Sequence, residues 1–365
     1  MICDERTYLT ALNNTFRYQG ATARTLIDHF GSASEIFSYS ADGLQQATRL
    51  PLPKITQLLS VQTLQDAQRE VEWANNQGIT TYAINDPLYP KRLFHCADAP
   101  ILLYRKGPAE LSPEKALAVV GTRSATPYGI HATEHIIKEL AKRGHACTII
   151  SGLAYGIDIT AHKAALEAGL PTIAVFAFGL DNVQPAKHFS VAQQIMQGGA
   201  CVSDFPSKTA ITKINFIKRN RIIAGLADGV LVMESKEKGG ALITAQIAQS
   251  YDREVMALPG RWNDPCSKGC NIMIKEHRAA LVNGVEDIEQ QLGWEPSTPN
   301  ETSSLPPQLD LIDGGILQAL AQGPRSIDQL HRLTHLSIPE LSARLMHLSI
   351  SGVVHRLQQN QFCLS

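Results

Sequence analysis

The stretch "FPSKTAITKINFIKRNR" at 205–221 carries Lys208, Lys213, Lys218, Arg219 and Arg221 with no acid among them, and it adds the rings of Phe205 and Phe216. It runs into "GVLVME" (229–234), an apolar run that reads as a buried strand. Charge at the mouth of a core element costs solvation unless an anion meets it. Cations spread along a segment suit a repeating phosphate chain, and an exposed ring suits an unstacked base. A mononucleotide needs one phosphate cradle, so the length of the strip favours a polymer. The competing reading is a solvated helix face with two core phenylalanines.

Other residues could do different chemistry. Asp158 and His162 in "GIDITAH" stand four apart, as an acid–base pair on a helix would. A structural pairing, with Asp158 near a helix N-terminus where the dipole favours it, is the preferred role. Cys266 and Cys270 in "CSKGC" could be half of a zinc site, but a second pair at ligand spacing is missing, and the expectation is two ordinary thiols and no metal. "GTRSATPYG" lacks the spacing of a dinucleotide turn, and a second strand ending in Ser151-Gly152 lacks the ribose-binding acid, which argues against a nicotinamide enzyme. No P-loop motif occurs. A nucleotide-binding or phosphoribohydrolase-like enzyme is the alternative function. Its acid–base carboxylate would fall on Gln246 of "KGGALITAQIA" (238–248), where an amide cannot take a proton, and Glu234 is the nearby substitute. The expectation is therefore a protein that is not an enzyme and has no cofactor.

These residues need a frame. Six apolar runs alternate with amphipathic segments: "ALAVVG" (116–121), "CTIISG" (147–152), "TIAVFAFG" (172–179), "ACVSDF" (200–205), "GVLVME" and "EVMALPG" (254–260). The first intervening helix lines up Ile136, Ile137, Leu140 and Ala141. Near-continuous apolar strands separated by helices predict an α/β fold, a Rossmann-like, doubly wound and mostly parallel sheet. Ligands then sit at the carboxyl ends of the strands. Glycines occur at several of those exits: Gly121, Gly152, Gly179 and Gly260. Arg123, in the turn after the first strand, is predicted on the same sheet edge as the basic strip. Its fork can bond a phosphate that the N–H groups of Gly121 and Thr122 also reach. A crevice at strand ends is too narrow for a duplex, so a single strand fits best.

The sheet region has neighbours. Residues 1–80 read as a small helical domain of the SAM or helix-hairpin-helix kind, with Leu26, Ile27 and Phe30 on one helix face that ends near Gly31 and a break at "LPLPKI" (50–55). The Rossmann-like domain is assigned to 81–293, a proline-rich linker to 294–308, and a winged helix to 309–365. The last region shows capping boxes at Ser326/Gln329 and Ser337/Glu340, then Leu341, Leu345 and Leu348 on one face and a two-stranded wing. Its Arg325, Arg332, Arg344 and Arg356 are balanced by Asp310, Asp313, Asp328 and Glu340, which favours a protein-contact or auxiliary role over groove insertion.

Composition bounds the rest. The 365 residues are 44% hydrophobic and 18% charged with net charge −1, so anion binding must come from local clustering. The N-terminus shows no apolar leader, no run approaches the ~18 apolar residues of a membrane span, and seven scattered cysteines suit reduced thiols, which together predict a cytoplasmic protein.

Five ordered motifs resemble the DNA-processing protein A (DprA/Smf) family: "VVGTRSATPYG" (119–129), "ISGLAYGIDITAH" (150–162), "NFIKRNRIIAGLADGVLVMES" (215–235), "GGALITA" (239–245) and "ALPG" (257–260). "YPKRLFHCADAPILLYRKG" (89–107) is similar to that family's lead-in to the sheet. The resemblance implies a non-enzymatic, single-stranded DNA-binding protein that protects incoming DNA in natural transformation, dimerises through the Rossmann-like domain and loads RecA recombinase. It implies DNA contacts at Gly121, Thr122 and Arg123 in a first loop, and at Ser151 and Gly152 in a second. In a third loop they fall on Lys213, Phe216, Arg219, Asn220 and Arg221. Ile217 stands where many members have proline, and His277-Arg278 where a glycine is commoner.

Overall fold

In the computed structural model, which describes residues 3–16, 20–296, 311–321, 323–350, 354–356 and 361–364, a set of helices precedes the first strand. These are α1 Glu5–Thr15, α2 Gly20–Phe30, α3 Ala33–Ser38, α4 Ala41–Ala47, α5 Leu52–Leu58 and α6 Val61–Asn76. Local chemistry starts most of them: Asp4, Ser32, Ser40 and Ser60 accept first-turn N–H groups of α1, α3, α4 and α6. The prolines of "LPLPKI" separate α4 from α5 and then open α5, since a helix tolerates proline in its first turn.

The sheet region follows as β1 Thr80–Ala83, α7 Lys91–Phe94, β2 Leu102–Lys106, β3 Ala116–Val120, α8 Pro127–Lys142 and β4 Thr148–Ser151. Next come α9 Ile157–Glu167, β5 Thr172–Val175, α10 Phe189–Gly198, β6 Ala200–Ser203, α11 Lys213–Leu226 and β7 Gly229–Val232. It closes with α12 Gly240–Ser250, β8 Glu254–Ala257, α13 Lys268–Lys275, β9 Ala280–Leu281 and α14 Val285–Leu292. The sheet order is β1-β2-β6-β5-β4-β3-β7-β8-β9. All neighbours from β6 to β9 pair parallel, while β1 and β2 add an antiparallel edge. All six strands read from the sequence are present. The antiparallel pair β1–β2 was not anticipated.

Period-two alternation explains why those strands look uniformly apolar. Ala116, Ala118 and Val120 of β3, Val230 and Val232 of β7, and Val255 and Ala257 of β8 enter one apolar cluster, with Ile222 and Ile223 of α11 and Ala245 of α12. Leu117, Val119, Leu231 and Met256 enter another, with Ile136, Ile137 and Leu140 of α8 and Ile157 of α9. Both sheet faces are thus buried. The chain winds from β3 towards β6 on one side, then crosses through α11 to β7 on the other side of β3. The crevice between the exits of β3 and β7 is therefore the topological switch point.

Leu12, Ile27 and Ile36 of the early helices share the first cluster with Leu93, Ile223 and Val232. Residues 1–298 form one compact unit, so position 80 divides helices from strands and does not separate two compact bodies. Trp294, assigned above to the linker, is buried in the second cluster, its ring 5.8 Å from His145 and 5.7 Å from the Lys115 ammonium. Residues 297–308 of the linker lie outside the described residues.

Residues 299–365 form the second compact unit. Its elements are α15 Leu311–Leu320, β10 Arg325–Ser326, α16 Ile327–Thr334, α17 Ile338–Ile350, β11 Val354–Arg356 and β12 Gln361–Leu364. Its core holds Leu341, Leu345 and Leu348, and the capping box of Ser326 and Gln329 is formed. The wing gains a third strand, in the order β10-β12-β11. Among the described residues no helix is long and apolar enough to cross a membrane.

Candidate nucleic-acid interface

The crevice at the switch point is a cavity of about 470 Å³ with walls from three elements. The first is the turn after β3. Thr122 N–H donates to the Glu234 carbonyl at 2.8 Å, and Ile157 N–H donates to the Thr122 carbonyl at 3.2 Å, so the turn is strapped between β7 and α9. At Gly121 an added Cβ would collide with Ile157, which is why this approach needs glycine. Arg123 is exposed, and its guanidinium lies over the Phe216 ring, 5.0 Å from the centroid.

Glu234 anchors the same turn from below. Its carboxylate is buried and accepts from Thr126 N–H at 2.9 Å and Thr126 Oγ1 at 2.5 Å. Thr126 in turn caps α8. The group that an enzyme would need as acid or base is therefore committed to holding a loop. Gln246 is exposed on α12.

The second wall is the start of α11. The basic segment read as a loop is a helix, opened by Thr212, whose hydroxyl accepts Asn215 N–H. At about 100° per residue, Lys213, Phe216, Ile217 and Asn220 fall on one face, the i, i+3, i+4, i+7 stripe, and all four line the cavity. Phe216 is half-buried, with one edge against Phe178 at 6.4 Å between centroids. Ile217 is exposed within this helix.

The third wall is the β7–α12 connection, with Ser235, Lys236, Lys238, Gly239 and Gly240. Gly239 is the N-cap of α12 and offers no side-chain acceptor; Leu242 N–H donates to the Gly239 carbonyl at 3.2 Å, which leaves the N–H groups of Gly240 and Ala241 to an anion at the crevice. Sequence reasoning missed this wall. The signal was present, because a doubly wound sheet puts the strand after the crossover beside β3, and its loop then faces the first one. The ammonium groups of Lys213, Lys236 and Lys238 make no hydrogen bond or ion pair with another described residue.

Arg219 and Asp158 form the floor. Arg219 is buried and donates from Nη1 to the Gly152 carbonyl at 2.8 Å and to the Val175 carbonyl. Burial pulls its pKa down to about 10, with Asp158 opposing, so it stays cationic near neutrality. Burial raises the Asp158 carboxyl against the pull of Arg219. Asp158 does not pair with His162: His162 Nδ1 meets Thr172 Oγ1 at 2.7 Å, and burial lowers its pKa to about 3.

Of the anticipated contacts, Gly121, Thr122, Arg123, Lys213, Phe216, Arg219 and Asn220 converge on the cavity. Three do not. Ser151 is fully buried, its hydroxyl donating to the Val119 carbonyl at 2.6 Å. Gly152 lies under the Arg219 guanidinium, which occupies the space a Cβ would need, and Ala154 of that loop and Asp158 of α9 line the cavity instead. Arg221 falls on the far side of α11, where it pairs with Asp204 and donates to the Asp98 carbonyl. Although burial opposes its charge, Asp204 and Asp98 hold its pKa above the ordinary value. Phe205 is buried beside Arg221 and lines the small cleft there, so it offers no stacking surface at the crevice. Periodicity explains where Arg221 lies, because a helix cannot aim every cation of a basic run the same way, whereas Phe205 precedes α11 and lies just after β6.

Two sequence peculiarities also find a place. His277 takes a left-handed backbone (φ 55°) just after α13, a conformation that glycine adopts most readily. Cys270 is buried and its thiol is pushed up to about 12, while Cys266 is half-buried; both are free thiols. Among the described residues no cluster of three or more His, Cys, Asp or Glu could hold a metal.

A doubly wound sheet with a basic crevice at its switch point defines the class of this protein, a Rossmann-like domain. The DNA recombination-mediator protein A family profile matches residues 80–293, and the DprA winged helix domain profile matches 299–360. The chain belongs to the DNA recombination-mediator protein A family. It is 37% identical to protein Smf of Escherichia coli (strain K12) over 271 residues, 72% of each chain. DNA processing protein A from Streptococcus pneumoniae superposes with a TM-score of 0.62 at 30% identity, covering 80% of this chain and 99% of that one. DNA processing protein A from Helicobacter pylori, a structure concerned with its single-stranded DNA binding mode, matches with a TM-score of 0.53 at 31% identity, covering 59% and 95%.

Proposed function

We propose that the chain binds single-stranded DNA in the switch-point crevice, without chemistry, and hands it to a recombinase. The observation that carries this reading is the set of cations converging from three walls, Arg123, Lys213, Lys236 and Lys238, with Asp158 as the acid in the lining. Phosphates would lie against those cations and the N-terminus of α12, and a base would stack on the Phe216–Arg123 pair. The place of the crevice at strand ends favours an unpaired strand over a duplex.

Membership of the family and the Helicobacter pylori relative support the choice of DNA. Loading of RecA, protection of incoming DNA during transformation, self-association through the Rossmann-like domain and a cytoplasmic setting follow from the family resemblance. They complete the proposal. The commitment of Glu234 to Thr126 weighs against a nucleotide-processing enzyme.

Two assays on one preparation test the reading. Labelled single-stranded and duplex oligomers of equal length are titrated with the chain, and nucleoside monophosphates are incubated with it while free base is monitored. The expected result is preference for the single strand and no base release. Equal or tighter binding of the duplex, or release abolished by Glu234→Gln, would overturn it.

A further inference from the structure

The connection from Gly121 to Tyr128 has two working faces. Its first half lines the basic crevice, whereas Thr126, Pro127 and Tyr128 line a neighbouring cavity of about 690 Å³ with Pro259, Gly260, Arg261 and Asp264. Tyr128 Oη donates to the Pro259 carbonyl at 2.8 Å, which ties the start of α8 to the exit of β8. Register pairs Val120 with Val232 and Val232 with Ala257, so the exits of β3, β7 and β8 are level. Two strand spacings, about 10 Å, separate the first exit from the third. A strand leaving the crevice towards β8 would meet this cavity next.

Trp262 follows the lining residue Arg261 in this loop and has 89% of its surface exposed; Arg261 is exposed and Tyr128 half-exposed. An indole in water forgoes a large burial contribution, and this chain buries Trp294 and partly buries Trp73. The loop that presents it is not slack. Asp264 N–H donates to the Arg261 carbonyl at 3.1 Å, and Asn271 exchanges hydrogen bonds with the backbone of Gly260 at 3.1 and 3.0 Å. Asp264 is the acid in this cavity, and its Oδ1 accepts Cys266 N–H at 2.8 Å within the loop's own turn. The Arg261 guanidinium makes no ion pair among the described residues.

The geometry points to a second contact station for the same DNA strand, in which Trp262 stacks an unpaired base and Arg261 meets a phosphate beyond those held in the crevice. This inference rests on the proposed function. Its occupant is the continuation of a single strand, chosen because a ring, a cation and the shared loop continue the chemistry of the crevice.

The test uses the full chain and oligothymidines of increasing length, followed by affinity and by intrinsic tryptophan fluorescence. Long oligomers should quench the emission of the wild-type chain, and Trp262→Phe should lose that quench while keeping most of the affinity. Trp262→Ala should weaken long oligomers by about 5- to 150-fold, the range of one base–aromatic stack. An oligomer just filling the crevice should bind all three forms alike. Trp262→Ala and Arg261→Ala binding long oligomers as the wild type does, while Arg123→Ala weakens them, would overturn the inference and leave the proposed function standing. Loss of self-association in Trp262→Ala with unchanged DNA affinity would overturn it too, assigning the ring to a second copy. A wild-type chain that binds no oligomer would fail at the proposed function itself.

Discussion

The crevice and the layer behind α11 are built from the same residue types and use them in opposite ways. Behind the helix, Arg221 closes on Asp204, and Arg92 grips Asp228 through two nitrogens at 2.5 and 3.0 Å. Each of these cations also reaches a backbone carbonyl, so their charge is spent on tying connections to the sheet. At the crevice, Arg123, Lys213, Lys236 and Lys238 have no carboxylate partner among the described residues. Paired charge holds the fold together. Unpaired charge gathers where loops from β3 and β7 and the start of α11 meet, and the proposed function gives it to the phosphates of a bound strand. Arg219 stands between the two uses, buried like Arg221 yet forming the floor of the crevice.

The largest effect expected from this contrast is on stability. Arg221→Ala would strand the buried Asp204 carboxylate and should cost about 3–5 kcal/mol in denaturant unfolding, while the folded fraction keeps its DNA affinity. A loss of affinity with unchanged stability would erase the distinction between the two regions.

The buried side of α9 should show itself through pH. His162 is neutral in the folded chain with a pKa of about 3, against an ordinary 6.5. Between those values the unfolded chain binds a proton that the folded chain refuses, so stability falls as pH drops. The slope from this group is up to about 1.4 kcal/mol per pH unit. His162→Gln should flatten the unfolding free energy across that window, and an unchanged profile would remove His162 from the account.

Phe216→Ala should weaken oligomer binding by about 1–3 kcal/mol if the ring carries a base. Near-zero loss in an intact fold would make it a packing residue alongside Phe178. The smallest change in oligomer affinity is expected from Lys218→Ala, because Lys218 is exposed on α11 outside the crevice lining and its removal should leave binding within about 0.5 kcal/mol of the wild type.

Much of this frame was legible in advance. Strands buried on both faces announce themselves as continuous apolar runs, and Leu341, Leu345 and Leu348 announce a helix face in the winged unit. The edge pair β1–β2 was harder, because "LLYRK" offers no helix–strand alternation to place it. At the site, residue types were legible and directions were not. Reading 205–221 as a strip treated Arg219, Asn220 and Arg221 as equivalent, whereas helical rotation sends the first to the floor, the second to the wall and the third behind. Ser151 and Gly152 belong to the site's support for a related reason: strand-exit position is visible in sequence, but the guanidinium that packs over Gly152 comes from a residue 67 positions away. Lys236 and Lys238 became visible only once β7 was placed beside β3.

The central claim is that the unpaired cations of the crevice hold phosphates. Its most direct test is the slope of log affinity against log salt for single-stranded oligomers, measured for the wild type, Arg123→Ala, Lys213→Ala and the double variant. Each phosphate contact removed should flatten the slope by about 0.7, giving about 1.4 for the double variant, with melting temperature preserved. A double variant that keeps both the affinity and the slope of the wild type would contradict the claim.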